Sequence, residues 1–407
     1  MGKSNENIIT IIDLGSSKTV ALSVEMTEAG LRYRGYGVAA SGGTKRGVIV
    51  DLELAKKSVE EAVGRAEKSS GLALASAVVG VSGPHIRSVN SHGVISLGSR
   101  PREITSADVQ EAGERAREIA LPEGREILHL MTQEFLLDGQ DGIQHPVGMI
   151  GRQLDIRVHV ITAASAAVQN VVTALNLAGM SVEDKVYEGL ACCDAVLRRD
   201  ERELGAAVID IGAATSDIAV VQDEVVIHSS VVPLGGINFT RDVAYGLKTS
   251  LVDAESLKRQ FGCSMVTRIA EQNEIEVPSV GERPSRMMRQ RDLGEILEPR
   301  ARELMELLRD DLRHAGVLET LGGGIILTGG GSRLLSLTES CEDILRRPAR
   351  VGLPMGIAQL PVELQEPEYA TAIGLVFYTQ RARVLKSKEE TGFGARLRGL
   401  FTSRSTN

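Results

Sequence analysis

Two segments of the chain share one pattern of apolar and polar positions. Residues 11–22 ("IIDLGSSKTVAL") and 208–220 ("VIDIGAATSDIAV") each run from an apolar strand to an aspartate, through a turn of small residues, and into a second apolar strand. Alternating runs of this kind, separated by small and polar turn residues, predict β-hairpins. The chain is therefore predicted to contain the same hairpin twice, about two hundred residues apart.

The pattern between and after the hairpins predicts layers of helix and strand. Residues 51–69 carry one apolar helical face, and residues 163–178 form a second helix that Gly179 ends. Residues 84–160 show strands around a helix from Ser106 to about Ala120, which predicts a separate small α+β insert.

The C-terminal half is predicted to be helical and then to return to strand. A strong helix is predicted over residues 295–315, and "ILTGGGSRL" over residues 326–334 predicts a buried strand that enters a glycine turn, with Ser332 at the start of the next helix. The polar "LKSKEE" predicts a flexible linker before a last amphipathic segment.

Composition narrows the class of protein. A length of 407 residues predicts two to four structural units, and a net charge of −8 argues against a general nucleic-acid binder. No segment reads as a signal peptide or a membrane span, so we expect a cytoplasmic protein. Its cysteines, Cys192, Cys193, Cys263 and Cys341, lack metal-ligand spacing and are expected to be reduced packing residues.

The glycine turns suggest a chemistry for the site. A turn without bulky side chains exposes successive backbone N–H groups that can hold phosphate oxygens, and Asp13 and Asp210 could hold Mg²⁺ through its water shell. Gly329, Gly330 and Gly331 could form a flat surface for a base or ribose. Each turn alone could be an ordinary hairpin or loop; three in this order favour a clamp for a nucleoside triphosphate.

These residues resemble the actin, sugar-kinase and DnaK-type chaperone superfamily. Segments such as "VGVSGPHIRSVNSHGVI", "HPVGMIGRQLDIRVHVITA" and "PEYATAIGLV" are similar to the FtsA family of bacterial cell-division proteins. The resemblance implies an α/β, actin-like (ribonuclease H-like duplicated) two-lobed fold with an FtsA-type inserted subdomain and a C-terminal amphipathic helix. The implied divisions are lobe 1 at 1–83, 163–204 and 366–385, the insert for subunit contacts at 84–162, lobe 2 at 205–237 and 301–365, its helical subdomain at 238–300, and the linker and tail at 386–407.

The resemblance also implies a set of ATP and Mg²⁺ contacts. They are Asp13, Gly15, Ser16, Ser17, Lys18 and Thr19 in the first hairpin; Asp210, Gly212, Ala213, Ala214, Thr215 and Asp217 in the second; Gly235, Gly236 and Asn238 in the neighbouring turn; Glu255 and Lys258 on a helix; and Gly329, Gly330, Gly331, Ser332 and Arg333 in the adenosine turn.

The second hairpin departs from the family pattern, which has glycine where Ala213 and Ala214 stand. Alanine disfavours positive φ by about 1 kcal/mol or more, and its methyl group obstructs close backbone approach. We therefore expect ATP to be bound and its hydrolysis to be weak or absent. The alternative is that the backbone there has negative φ and alanine costs little.

Two further regions suggest binding partners. The tail residues Phe393, Leu397, Leu400 and Phe401 form one apolar stripe beside Arg396 and Arg398, which favours an anionic membrane surface over docking on the protein's own core. The arginines of residues 278–300 could be an ordinary solvated face. The resemblance implies instead that Arg300, and next Arg286, bind the acidic C-terminal peptide of FtsZ.

The function implied by the resemblance is that of an ATP-binding cell-division protein. It would polymerise on the cytoplasmic face of the bacterial membrane at the septum, tether FtsZ filaments and recruit later divisome membrane proteins. The alternatives are the related pilus-assembly ATP-binding protein and, more remotely, a sugar-kinase-type phosphotransferase. The last would need a catalytic carboxylate facing a substrate pocket.

Overall fold

The computed structural model describes residues 7–281 and 283–391. Its strands are β1 Ile8–Leu14, β2 Lys18–Thr27, β3 Gly30–Ala40, β4 Thr44–Lys45, β5 Val48–Ile49, β6 Ser76–Val81, β7 Arg87–Ser96, β8 Arg102–Glu103, β9 Arg125–Leu137, β10 Gln140–Ile143, β11 Ile150–Gly151, β12 Gln153–Ala164, β13 Ser181–Tyr187, β14 Ala206–Ile211, β15 Ser216–Gln222, β16 Val225–Val232, β17 Glu274–Val277, β18 Arg286–Arg289, β19 Gly324–Thr328 and β20 Ala349–Val351. Its helices are α1 Leu52–Ser70, α2 Ser106–Arg117, α3 Ser165–Leu177, α4 Glu188–Val196, α5 Arg199–Leu204, α6 Gly236–Leu247, α7 Leu251–Phe261, α8 Gln290–His314, α9 Leu337–Leu345 and α10 Ala370–Thr391.

Two five-stranded sheets repeat one topology. The first sheet has the strand order β13-β6-β1-β2-β3. The second has the order β20-β19-β14-β15-β16, which corresponds to the first strand by strand. In both, an antiparallel meander (β1 to β3, β14 to β16) continues into parallel strands. The sequence similarity of the two hairpins is therefore the local sign of a duplicated lobe.

The two lobes share one core. Ile9 and Ile11 on β1 and Val208 on β14 pack against α4 and α10, which lie between the sheets. The two helices approach closely because Gly374 on α10 has no side chain: an added Cβ would lie 1.8 Å from the carbonyl oxygen of Ala191 on α4. The opposite faces of the sheets pack on α1 and α3 in lobe 1 and on α6, α8 and α9 in lobe 2.

The insert is a four-stranded sheet, β10-β9-β12-β7, with α2 on one face. It leaves lobe 1 after β6 and returns through α3, yet its hydrogen bonds also reach β16 of lobe 2. The Ser88 hydroxyl donates to Ser229 O (2.6 Å), and the Gln133 amide donates to Val226 O (3.0 Å). The insert is thus joined covalently to one lobe and by hydrogen bonds to the other.

Two predicted boundaries differ from the structure. Helix α8 begins at Gln290, not at residue 295, because Leu293 and Leu297 are both fully buried and continue its apolar face. Helix α10 continues to Thr391, so the backbone of the segment predicted to be a flexible linker is helical up to that residue.

Candidate functional site

A cleft of about 630 Å³ lies between the lobes, and both hairpin turns and the third glycine turn open into it. The predicted nucleotide-binding residues that line it are Asp13, Gly15, Ser16, Ser17, Lys18, Asp210, Gly212, Ala213, Ala214, Thr215, Asp217, Gly236, Asn238, Glu255, Lys258, Gly329, Gly330, Gly331 and Arg333. Tertiary folding therefore gathers residues from five separate parts of the chain around one space.

Three predicted contacts do not line the cleft. Thr19 is fully buried, and its hydroxyl bonds a neighbouring serine hydroxyl at 2.8 Å. Gly235 packs against the backbone of the second turn, where an added Cβ would lie 2.7 Å from a carbonyl oxygen. Ser332 does not begin a helix: it lies in a 3₁₀ turn, Gly330–Arg333, its hydroxyl donates back to that turn, and α9 begins only at Leu337.

The first hairpin places a buried carboxyl group and a lysine at the cleft. Asp13 is 8% exposed at the end of β1, and Lys18 begins β2. Gly15 is required between them because an added Cβ would lie 2.9 Å from Lys18 O. The Lys18 ammonium group pairs with Glu368 Oε1 at 3.2 Å and lies 3.5 Å from the ring centroid of Tyr369. Burial lowers the pKa of Lys18.

The second hairpin is closed by backbone bonds that alanine accommodates. The Gly212 N–H donates to Thr215 O at 2.9 Å, and Ala213 O accepts from the N–H of Ile237 at 2.8 Å. Neither Ala213 nor Ala214 has a positive φ. The prediction of backbone strain at these two alanines is therefore wrong, and the alternative of a negative φ is correct. The obstruction of phosphate by their methyl groups remains a prediction.

Four carboxyl groups, of which the three aspartates are buried, surround this part of the cleft. Burial, and then Asp210, raise the pKa of Asp13 to about 7, and the same two causes raise the pKa of Asp217 to about 7. Burial also raises the pKa of Asp210, and raises that of Glu188 well above its ordinary value. Concentrated carboxyl groups with so little water around them favour a cation, because each charged form is otherwise poorly solvated.

The carboxyl groups suit Mg²⁺ held through water. Carboxylate oxygens are the donors this hard cation prefers, and Mg²⁺ usually keeps several of its waters. The described residues contain no group of three or more His, Cys, Asp or Glu side chains arranged to bind a metal directly. Asp13 and Asp210, on facing hairpins, therefore fit the predicted water-mediated site and not a cage of direct ligands.

Several site residues escaped prediction from sequence. Thr371 on α10 and Cys192 on α4 both donate to Asp210 Oδ2, at 2.7 and 3.2 Å, so Cys192 is more than a packing residue. Ser82 donates to both oxygens of Asp217, at 2.6 and 2.7 Å. Of the unpredicted site residues, only Glu188 could have been found from the local sequence, because it is an acidic residue at the start of a mostly apolar helix.

The third glycine turn packs directly on the second hairpin. Gly329 has φ +78°, and an added Cβ would lie 2.0 Å from Asp210 Oδ1. An added Cβ on Gly331 would lie 2.3 Å from a side-chain carbon of Ile211. Glycine is needed here for close approach as well as for backbone conformation.

Helix α7 supplies a lysine that is already held in place. Lys258 Nζ donates to Gly236 O at 3.0 Å and to the Thr240 hydroxyl at 2.9 Å, and pairs with Glu255 at 2.7 Å. Lys258, Thr240 and Arg259 all donate to Glu255 and, although burial opposes them, hold the pKa of this carboxyl down at about 2. This network joins α7 to the N-terminal part of α6.

The two arginines predicted to bind a partner have partners within the chain. Arg300 makes two bonds to Asp242, at 2.6 and 3.0 Å, and also pairs with Glu303. Arg286 donates to Leu247 O at the end of α6 and to Ser279. An acidic peptide would therefore compete with Asp242 for Arg300.

The predicted membrane-binding residues lie outside the described part of the chain; they are Phe393, Arg396, Leu397, Arg398, Leu400 and Phe401. Among residues 7–281 and 283–391, no helix has the length and apolar character needed to cross a membrane.

Comparison with known proteins identifies the family. Residues 207–374 match the model of "Cell division protein FtsA", and residues 83–162 match "SHS2 domain inserted in FTSA". The chain is 37% identical to the cell division protein FtsA of Pseudomonas aeruginosa, over 91% of this chain and 89% of that relative. The chain belongs to the FtsA family. It is also 34% identical to the Escherichia coli FtsA, over 94% and 92% of the two chains, and 32% identical to that of Bacillus subtilis, over 94% and 86%.

Solved structures place the FtsA fold among actin-like proteins. A chain of the PilM-PilN type IV pilus biogenesis complex is similar with a TM-score of 0.64 at 19% identity, covering 91% of this chain and 98% of that one. MreB5 of Spiroplasma citri bound to ADP gives 0.56 at 14% identity, covering 95% and 99%. These likenesses, with the duplicated sheets and the inserted subdomain, confirm the predicted actin-like two-lobed fold. The family match favours FtsA over the pilus-assembly alternative.

Proposed function

We propose that this member of the FtsA family binds ATP with Mg²⁺ in the interlobe cleft and forms filaments on the cytoplasmic face of the cell membrane at the septum. In this role it tethers FtsZ and recruits later divisome membrane proteins. The observation that carries the nucleotide proposal is the convergence of both hairpins and the third glycine turn on one cleft of about 630 Å³. The cell-division role follows from the family.

The chain's own residues divide the binding task. Backbone N–H groups of the two hairpin turns face the phosphates, and the third glycine turn leaves room for the adenosine. Bound Mg²⁺ would neutralise phosphate charge next to Asp13 and Asp210. Thr371 fixes Asp210 from the helix between the lobes, at 2.7 Å, so the carboxylate needs no reorganisation when nucleotide enters. ATP then acts mainly as a link between lobes, with hydrolysis weak at most.

Calorimetric titration with ATP in Mg²⁺ and in EDTA tests the site. We expect wild-type binding that depends on Mg²⁺, and Asp210→Asn to weaken it about tenfold or more, because one charge facing the cation is lost. Asp141→Asn is the matched control, since Asp141 is exposed on the insert. Absence of ATP binding by the wild type, or equal affinities of wild type and Asp210→Asn, would contradict the proposed site.

FtsZ binding is proposed at the helical subdomain. A carboxylate of the peptide would replace Asp242 as the partner of Arg300. The contribution of Arg300 to peptide binding is therefore the difference in free energy between two similar ion pairs. We expect Arg300→Glu to weaken binding of the acidic FtsZ peptide and Asp242→Asn to strengthen it. If peptide titration shows no change in either variant, Arg300 is not a contact.

Membrane attachment is proposed through the tail. Four large apolar side chains and the neighbouring arginines give one tail reversible binding, and a filament that displays many tails gains avidity. In sedimentation with anionic liposomes, we expect the wild type to pellet with the lipid and the Phe401→Glu variant to stay in the supernatant. Electron microscopy on lipid monolayers with ATP, ADP and no nucleotide tests filament formation; absence of filaments in all three would favour a monomeric adaptor.

A further inference from the structure

The cation of the first hairpin is already occupied by an anion of the chain. Lys18 Nζ lies 3.2 Å from Glu368 Oε1, and the two side chains are 24% and 25% exposed. The ring of Tyr369 covers the same ammonium group, with its centroid 3.5 Å away. Lys18 and Glu368 both line the cleft, so this ion pair lies where a nucleotide would enter.

The backbone on either side of Glu368 is held against lobe 2. Residues 366–369 form a short strap along the third glycine turn. The Gly329 N–H donates to Pro367 O at 3.1 Å, the Thr328 hydroxyl donates to the same oxygen at 3.2 Å, and Glu366 pairs with Arg333 at 3.2 Å. The strap therefore holds the backbone at Glu368 beside the glycine turn of lobe 2, and the ion pair with Lys18 joins its carboxylate to the first hairpin of lobe 1.

A phosphate group and the Glu368 carboxylate make the same kind of bond to an ammonium group. In a partly buried cleft two anions repel one another more strongly than in water. A polyphosphate that reaches Lys18 must therefore displace Glu368 or share the lysine with it, and in both cases the negative carboxylate opposes the incoming charge.

We propose that Glu368 is an internal competitor of phosphate for Lys18, and that it lowers the affinity of the cleft for nucleotides according to their phosphate charge. This inference rests on the proposed ATP site. It assigns a role to a residue outside the turns: Glu368 neutralises the Lys18 ammonium group, so the affinity for ligands without phosphate should not depend on Glu368.

Titration of ATP, ADP and adenosine into three proteins tests the competition. We expect Glu368→Gln, which keeps the shape and removes the charge, to bind ATP roughly three- to tenfold more tightly, ADP less so, and adenosine unchanged. Glu368→Ala should also tighten ATP. Glu363→Gln is the control: it removes the same charge from an exposed residue five positions earlier that does not line the cleft.

A cycle with Lys18→Met tests whether the effect passes through the lysine. In the Lys18→Met background we expect Glu368→Gln to lose most of its effect on ATP affinity. Weaker ATP binding by Glu368→Ala would overturn the inference and make Glu368 an aid that positions Lys18. Unchanged ATP affinity in both Glu368 variants would also overturn it. Failure of the proposed ATP site would be distinguishable from these outcomes, because the wild type and all variants would then fail to bind ATP. The inference would fail together with the proposed site in that case.

Discussion

A buried histidine at the junction of the insert and lobe 2 makes stability depend on pH in a way that one substitution can isolate. His159 on β12 is 1% exposed. Its Nδ1 lies 2.6 Å from Asn90 Oδ1, which only accepts, so Nδ1 carries the proton; Nε2 accepts from the Ser229 hydroxyl at 2.8 Å. The neutral ring therefore satisfies both partners, one on the insert and one on β16.

Burial, followed by the neighbouring His228 and His129, lowers the pKa of His159 from 6.5 to about 3. As the pH falls, His159 is protonated in the unfolded chain at a higher pH than in the folded protein. Its contribution to the free energy of unfolding is therefore complete above about pH 6.5 and is lost as the pH falls towards 3. From about pH 7.5 to about pH 5.5 the loss from this one group is about 1.4 kcal/mol.

The assay is urea unfolding followed by far-ultraviolet circular dichroism at both pH values. His159→Gln keeps a donor and an acceptor but cannot titrate, so its free energy of unfolding should fall by about 1.4 kcal/mol less than that of the wild type between the two pH values. The contributions of the other titrating groups are the same in both proteins, so they cancel when the pH-dependent loss of the variant is subtracted from that of the wild type. His92→Gln, at an exposed position on β7, should behave as the wild type. Equal losses in wild type and His159→Gln would refute the reasoning.

Three further substitutions test the packing and the site. Gly374→Val should destabilise the protein by about 1–3 kcal/mol or more in thermal unfolding, because the added carbons meet the α4 backbone, whereas Gly64→Ala, in open space on α1, should not destabilise it. Tyr187→Phe should cost about 1–2 kcal/mol in urea unfolding, since the buried hydroxyl donates to two carbonyl oxygens of lobe 2. If the methyl groups restrain hydrolysis, Ala213→Gly with Ala214→Gly should raise ATP turnover in a phosphate-release assay; unchanged turnover would remove that role.

Much of the fold could be predicted because its signals are local. The run of apolar residues into Asp13, and again into Asp210, is complete within a dozen residues, and both hairpins form where the pattern predicts them. The apolar face of α1 likewise requires only periodicity. The start of α8 was misjudged, because the pattern predicted the helix only from residue 295; the burial of Leu293 against lobe 2 shows that the helix begins earlier.

The site was predicted less completely, because its chemistry depends on pairs that are far apart in the chain. Asp210 and Thr371 are separated by 161 positions, and Ser82 and Asp217 by 135. No local pattern indicates such partners. The same reason applies to Arg300: its sequence suggests a guanidinium group available to carboxylates, and folding places Asp242 against it.

The sequence by itself determined the two hairpins, the third glycine turn and the family, because each is expressed in short runs of residue types. Only the tertiary structure decided how the turns are used. It set a negative φ at Ala213 and Ala214, closed Glu368 onto Lys18, and tied the insert to lobe 2. These outcomes depend on which distant groups packing brings within a few ångströms, and burial then fixes the strength of their interactions.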